Sequence, residues 1–154
     1  MEQNTKMNNE KFLHIERRFD VSPEIVFDVL TVPEKMQIWW GDNAEFEIDL
    51  KAGGRWKITR YEGHEKYVAE GQYLAVERPS SLEYTYGMPQ FSPNTDIIKI
   101  KIETDPGGCF LTFEQHGEDI ASELNNLSPG EKSESEAGWQ QGFDLMAAAW
   151  SELA

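Results

Sequence analysis

The last twenty residues, Ser135 to Ala154, set Trp139, Phe143, Met146 and Trp150 at spacings of four, three and four. Those spacings line four large apolar side chains along one face of a helix. Ser133 and Glu136 precede the stripe at the i, i+3 separation of a capping box, in which hydroxyl and carboxylate each satisfy one orphan backbone N–H. A capped amphipathic helix at the C-terminus follows. Such a helix is not stable alone in water and needs an apolar surface to lie on. Most of the chain ahead of it reads as strand, so the sheet must supply that surface.

Residues 1–10 are polar and read as a disordered tail, with one domain expected over residues 11–154. Lys11 to Phe19 alternates, with Phe12, His14, Glu16 and Arg18 on one side and Leu13, Ile15, Arg17 and Phe19 on the other, which predicts a strand. Ser22 offers an N-cap, Pro23 fits the first helical position, and Ile25, Val26, Val29 and Leu30 make the stripe of a short helix that Pro33 ends. A second short helix, Glu34 to Trp39, runs to Gly41. From Ala44 the period becomes two: Phe46, Ile48 and Leu50 alternate with Glu45, Glu47 and Asp49. Gly53 and Gly54 suggest the positive backbone dihedrals of a tight hairpin, with Trp56 and Ile58 on the return strand. Tyr67 to Glu77, Leu82 to Tyr86, Ile97 to Glu103 and Phe110 to His116 are four further strands, and 117–132 reads as a polar loop, with room for a short helical turn. The order of strand, two short helices, six strands and long helix is α+β, with one antiparallel sheet covered by the terminal helix.

Charge removes several classes of partner. Asp and Glu number 28 against 14 Lys and Arg, a formal net charge of −14, and no local basic cluster offsets it. Nucleic acid and anionic lipid surfaces are therefore excluded as default partners. No apolar leader is visible and no run is long enough to span a bilayer, so a cytoplasmic location without membrane insertion is expected. The Asn126-Leu127-Ser128 sequon, followed by Pro129, carries no weight without a secretory signal. The single cysteine, Cys109, rules out an internal disulfide and reads as a buried, inert thiol.

The candidate ligand-binding residues are Trp39, Trp40, Trp56, Tyr84, Tyr86, Phe113, Trp139, Phe143 and Met146, with Trp150 beside them. Pockets of this kind are mostly apolar with a few placed polar groups. The same side chains serve equally as core, each worth about 1.5 to 3 kcal/mol when fully buried. Trp39 and Trp40 are adjacent, so one is expected against the sheet and the other near an opening. His14, His64 and His116 are scattered without metal-ligand spacing, and neither a metal nor a cofactor is expected. Arg55 and Arg60 lie near a hairpin where a cavity-facing guanidinium would hold a carboxylate, although an ion pair is the simpler use. No nucleophile and base, phosphate loop or isolated carboxylate pair stands out, so no catalytic residue is named.

A family resemblance joins these pieces. Arg18, Phe19 and Asp20 lead into Ser22, Pro23, Ile25, Val26 and Phe27; Thr31, Pro33 and Glu34 follow, then the Trp39-Trp40-Gly41 triplet. Asp49, Leu50, Gly53, Gly54 and Trp56, then Gly71, the 79–84 stretch, 111–117, and Gly138-Trp139 complete the order. The chain resembles the bacterial single-domain branch of the activator of 90-kDa heat-shock-protein ATPase homologues, within the START and birch-pollen-allergen superfamily. Val32 stands where that family usually has a capping Asp or Asn, and Gln115 where many members carry a histidine. The resemblance implies a helix-grip fold: a curved antiparallel sheet of six or seven strands wrapped on the terminal helix, enclosing a cavity. It implies much less about ligand or activity, because one fold hosts many functions; the aromatic-rich grip without a catalytic constellation leads instead to the expectation of a soluble, noncatalytic protein that binds a small hydrophobic or aromatic ligand there. Contact with a chaperone ATPase is an alternative, as is a polyketide cyclase-like activity using Tyr84, Tyr86, Arg60 or His116.

Overall fold

A computed structural model describes residues 11–153, so the expected tail at 1–10 lies outside the described residues. The elements are β1 (Leu13–Phe19), α1 (Pro23–Thr31), α2 (Pro33–Trp40), β2 (Glu45–Ile48), β3 (Arg55–Glu62), β4 (Glu65–Glu77), β5 (Ser81–Tyr86), β6 (Asp96–Asp105), β7 (Gly108–His116), α3 (Glu118–Asn125) and α4 (Glu134–Leu153). The seven strands form one antiparallel sheet in the order β1-β7-β6-β5-β4-β3-β2. This is the helix-grip architecture, with α4 held on the inner face of the sheet.

Alternation fixes which face is inner. Leu13, Ile15 and Phe19 of β1, Ile98, Ile100 and Ile102 of β6, and Cys109, Leu111 and Phe113 of β7 are all buried in one core. The core also takes Phe143, Met146 and Trp150 from α4, so the aromatic stripe lies on the sheet as its spacing requires. Arg17 secures α4 from the edge strand. It donates to Gln140 Oε1 at 2.8 Å, pairs with Asp144 at 3.0 Å, and lies over the rings of Phe19 and Phe143.

The cap of α4 differs from the reciprocal box. Ser133 Oγ accepts from Glu136 N at 3.0 Å as expected. The carboxylate at this helix end is that of Glu123 on α3, which accepts from Ser133 Oγ and from the N and Oγ of Ser135 at 3.1 and 2.6 Å. An anion at a helix N-terminus is favoured by the unpaired N–H groups and by the helix dipole. Burial pushes the Glu123 carboxyl up, but the bonds from Ser133 and Ser135 outweigh it and hold the group below its ordinary value.

Five further sequence expectations change. The polar stretch 117–132 holds a regular helix, α3, which buries Ile120 and Ala121. Ile25 is exposed while Phe27 is fully buried, because α1 turns its Val26-Phe27-Leu30 face to the core. Strand β2 ends at Ile48, leaving Leu50 exposed in the turn. Within that turn only Gly53 has positive φ, +86°; Gly54 is needed for space, since a Cβ there would lie 2.1 Å from the carbonyl oxygen of Asp49. Ser22 precedes α1, but its side chain makes no capping bond, and Val32 gives α2 none either. Proline at the first turn of both helices removes one orphan donor instead.

Candidate ligand cleft

The short helix α2 carries both adjacent tryptophans to the open end of the grip. Trp39 Nε1 donates to the carbonyl of Val29 at 3.0 Å, which ties α2 to α1. Its ring lies against α4 at Gly142, where a Cβ would come within 2.9 Å of Trp39 Cε3. Trp40 stacks at a tilt on Trp39 with centroids 5.2 Å apart, and its indole N–H is buried without a hydrogen-bond partner. Both indoles therefore border the opening, rather than one facing the sheet alone.

Two hollows meet at these rings. A small cavity of about 20 Å³, the size of one water, is bounded by Trp39, Trp40, Trp56, Tyr73 and Tyr84. On the other side lies an open cleft of about 210 Å³, lined by Trp39, Trp40, Arg60, Tyr86, Gln115 and Trp139 together with Ser135, Gly138 and Gly142 of α4. Tyr86, Gln115 and Ser135 also line a wider outer pocket of about 480 Å³, closed by α3 and the loop after β5. That loop is pinned by Gln90, whose amide exchanges hydrogen bonds with the backbone N and O of Val68 at 3.3 and 3.1 Å.

Nine candidate residues thus divide into groups. Trp39, Trp40, Tyr86 and Trp139 line the cleft; Trp56 and Tyr84 line the small cavity. Phe113, Phe143 and Met146 lie beneath, fully buried, with Phe113 supporting the Trp139 ring at 4.8 Å. Trp56 is fixed by its N–H bond of 3.1 Å to the carbonyl of Thr85, and this crossing leaves room only for Gly71 between them. Trp150 packs edge-on against Phe19 at 5.1 Å, away from the cleft.

The polar side of the cleft is a hydrogen-bonded chain that sequence reasoning did not identify. Trp139 Nε1 donates to Gln115 Oε1 at 2.9 Å, and Gln115 Nε2 donates to Asp96 Oδ2 at 2.9 Å. The same Asp96 oxygen accepts from the backbone N of Ile120 at 3.1 Å, capping α3. Asp96 is 3 % exposed, and its second oxygen, Oδ1, has no partner. That oxygen sits against Gly117, where φ is +146° and any Cβ would lie 2.0 Å away. Burial raises the Asp96 carboxyl above its ordinary range, against the bonds from Gln115 and Ile120. Burial likewise pushes the Tyr86 phenol up to about 12, with Arg60 opposing and Asp96 reinforcing the change. The phenols of Tyr73 and Tyr84 are raised further, so all three tyrosines stay neutral. Cys109 is fully buried and burial raises its thiol, which leaves it a poor nucleophile. His116 points to the outer face, bonded to Glu114 at 2.8 Å and stacked on Phe12, so it does not reach the cleft.

Comparison with known proteins places this architecture. The family model for activator of Hsp90 ATPase homolog 1-like proteins matches residues 20–151. The chain belongs to that family. Among solved structures, protein CV1439 of Chromobacterium violaceum is similar at a TM-score of 0.75 and 22% identity, over 90% of this chain and 95% of the other. Protein MLL2253 of Mesorhizobium loti gives 0.75 and 20%, over 94% and 99%. A Staphylococcus aureus protein of unknown function, SA2116, gives 0.70 and 21%, over 90% and 93%. These likenesses establish the fold. The comparison with curated proteins gives no match. Among the described residues, no helix is long and apolar enough to cross a membrane.

Two glycines on α4 separate helix stability from cleft shape. A Cβ at Gly138 meets nothing within 4 Å, whereas at Gly142 it meets the Trp39 ring. Gly138→Ala is expected to stabilise by about 0.5–1 kcal/mol, the usual gain for alanine inside a helix. Gly142→Ala is expected to lose that gain because Trp39 must move. Urea midpoints of the two variants, compared with the parent, check the difference.

Proposed function

We propose that the cleft between α2, α4 and the sheet binds a small hydrophobic or aromatic molecule without chemically changing it. The observation that carries this reading is Trp40, which lines both hollows and whose indole N–H is buried without an acceptor. An unsatisfied buried donor costs about 1–3 kcal/mol. A ligand bringing a carbonyl, ether or phenolic oxygen to that point would remove this cost while its ring lies among Trp39, Tyr86 and Trp139. Most of the remaining polar groups are committed within the fold. Gln115 and Asp96 hold each other and two structural donors, the tyrosines stay neutral, and His116 is outside. This supports binding over a cyclase-like reaction.

Thermal-shift and tryptophan-emission screening against aromatic ketones, flavonoids and polyketides tests the proposal. A saturable rise in unfolding temperature is expected, because a molecule that binds only the folded state stabilises it by mass action. Trp40→Phe, which keeps an aromatic ring but removes the N–H together with the five-membered ring, should weaken acceptor-bearing compounds more than plain hydrocarbons of the same size. Silence across the screen would remove the reading. It would also turn attention to a chaperone ATPase partner, which the family name suggests and which a pull-down with an ATPase assay would examine.

A further inference from the structure

Five polar aromatic side chains surround the small hollow between α2 and the sheet, and they divide by how they are satisfied. Trp39 and Trp56 spend their N–H groups on the backbone carbonyls of Val29 and Thr85. The indole N–H of Trp40 and the hydroxyls of Tyr73 and Tyr84 have no hydrogen-bond partner among the described residues. Tyr73 on β4 and Tyr84 on β5 are direct cross-strand partners, next to the shift in register between Tyr73 and Ala75. Their rings meet edge-on at 6.2 Å, and Trp56 packs edge-on against Tyr84 at 5.5 Å. Trp40 reaches the same hollow from α2.

The two tyrosines are only 3 % and 9 % exposed, which leaves the hollow as the place where a partner can reach them. The side chains that complete its walls, Leu30, Met36 and Ile58, offer no strong acceptor. Burial holds both phenols protonated, with Tyr73 adding to the effect on Tyr84, so each keeps a proton to donate. One orphan donor is a local imperfection of packing. Three around a single volume of about 20 Å³ make a place for one acceptor atom. An ammonium group would bring further donors to groups that already lack acceptors, whereas a carbonyl oxygen has two lone pairs, carries no proton and accepts from two donors at once. Arg60, the one charged residue lining the neighbouring cleft, is a donor as well and disfavours a cationic ligand further.

We infer that Trp40, Tyr73 and Tyr84 form the receptor for one carbonyl oxygen, and that the ligand is an aromatic ketone whose ring lies in the cleft against Trp39 and Trp40 with its oxygen in the hollow that the same two rings border. This rests on the binding reading above and adds to it the functional group of the ligand and the two tyrosines that hold it.

Calorimetric titration with three probes of one bicyclic frame tests it: 1-tetralone, tetralin and 1-aminotetralin. A purely apolar hollow favours tetralin, because a carbonyl taken out of water without a partner is penalised. Donors reverse that order: tetralone is expected to bind at least about tenfold more tightly than tetralin, the net effect of about two hydrogen bonds, with the amine weakest. Tyr73→Phe and Tyr84→Phe keep the rings and remove one donor each, so each should weaken tetralone by about threefold to tenfold and leave tetralin unchanged. The infrared carbonyl stretch of bound, carbon-13-labelled tetralone should lie below its value in an apolar solvent and rise in each variant, a change that altered packing alone does not produce. Equal or tighter binding of tetralin, or variants that leave both the tetralone affinity and the carbonyl stretch unmoved, would overturn the ketone inference and spare the cleft. Failure of all three probes to bind would overturn both.

Discussion

Phe143→Ala is expected to destabilise the fold by about 3–5 kcal/mol, the range for truncating a buried phenylalanine. The side chain is fully buried at the centre of α4. It meets Phe113 edge-on at 5.8 Å and Phe19 at 6.3 Å, and the Arg17 guanidinium covers its other side. Removing it opens a void that these rings cannot close, because Phe113 is held between Trp139 and the sheet. Against a domain stability of about 5–15 kcal/mol, such a loss takes a large share of the total. Leu145→Ala, on the exposed side of the same helix, should stay within about 0.5 kcal/mol. Urea unfolding of both variants measures the contrast, and equal midpoints would show that α4 is not gripped as described.

Asp96→Ala should also have a large effect, through hydrogen bonding instead of packing. The substitution strands Gln115 Nε2 and the Ile120 N–H, both buried, at a cost of about 1–3 kcal/mol for each unsatisfied donor. Loss of the cap should loosen α3, visible as faster amide exchange across 118–125. Asp96→Asn separates charge from bonding, since an amide oxygen still accepts from both donors. The sign with pH follows from burial raising the carboxyl: its folded value exceeds the ordinary 3.8. A group raised in this way contributes stability that is fully present below the unfolded value and lost as pH rises through the folded one. The asparagine variant lacks that loss, so its stability relative to the parent should climb as pH increases from about 3 towards neutrality. A constant difference over that range would mean that Asp96 does not titrate abnormally.

Strong periodicity made most of the architecture legible. The α4 stripe, the alternation of β1, and the strands that became β4 to β7 each repeat a pattern over enough residues to identify both element and face. Helix α3 was hidden because only Ile120, Ala121 and Leu124 interrupt its acidic run, and because its N-cap position is Gly117 with the cap supplied from β6. No local rule anticipates a cap donated 24 residues away. The candidate site was half visible for a related reason. Aromatic residues announce apolar walls, so Trp39, Trp40, Tyr86 and Trp139 could be named, but spacing does not separate a cleft wall from Phe113 or Met146 beneath it. Asp96 was one acid among 28, and its distinction is entirely a matter of what the β6–β7 ladder and α3 place around it. Gln115 was noted as a departure from the family's histidine, and the structure gives that departure a use: one amide satisfies an indole donor and a carboxylate acceptor at once.

That amide has only one workable orientation. Trp139 has a proton to give and Asp96 an oxygen to fill, so Gln115 must present its carbonyl to the helix and its NH₂ to the strand. The Trp139 indole proton therefore lies at the head of a line that ends on the first turn of α3. In a ¹H–¹⁵N spectrum that single resonance is a built-in gauge: its chemical shift and solvent exchange report whether α3 is seated, from a nucleus that itself borders the cleft.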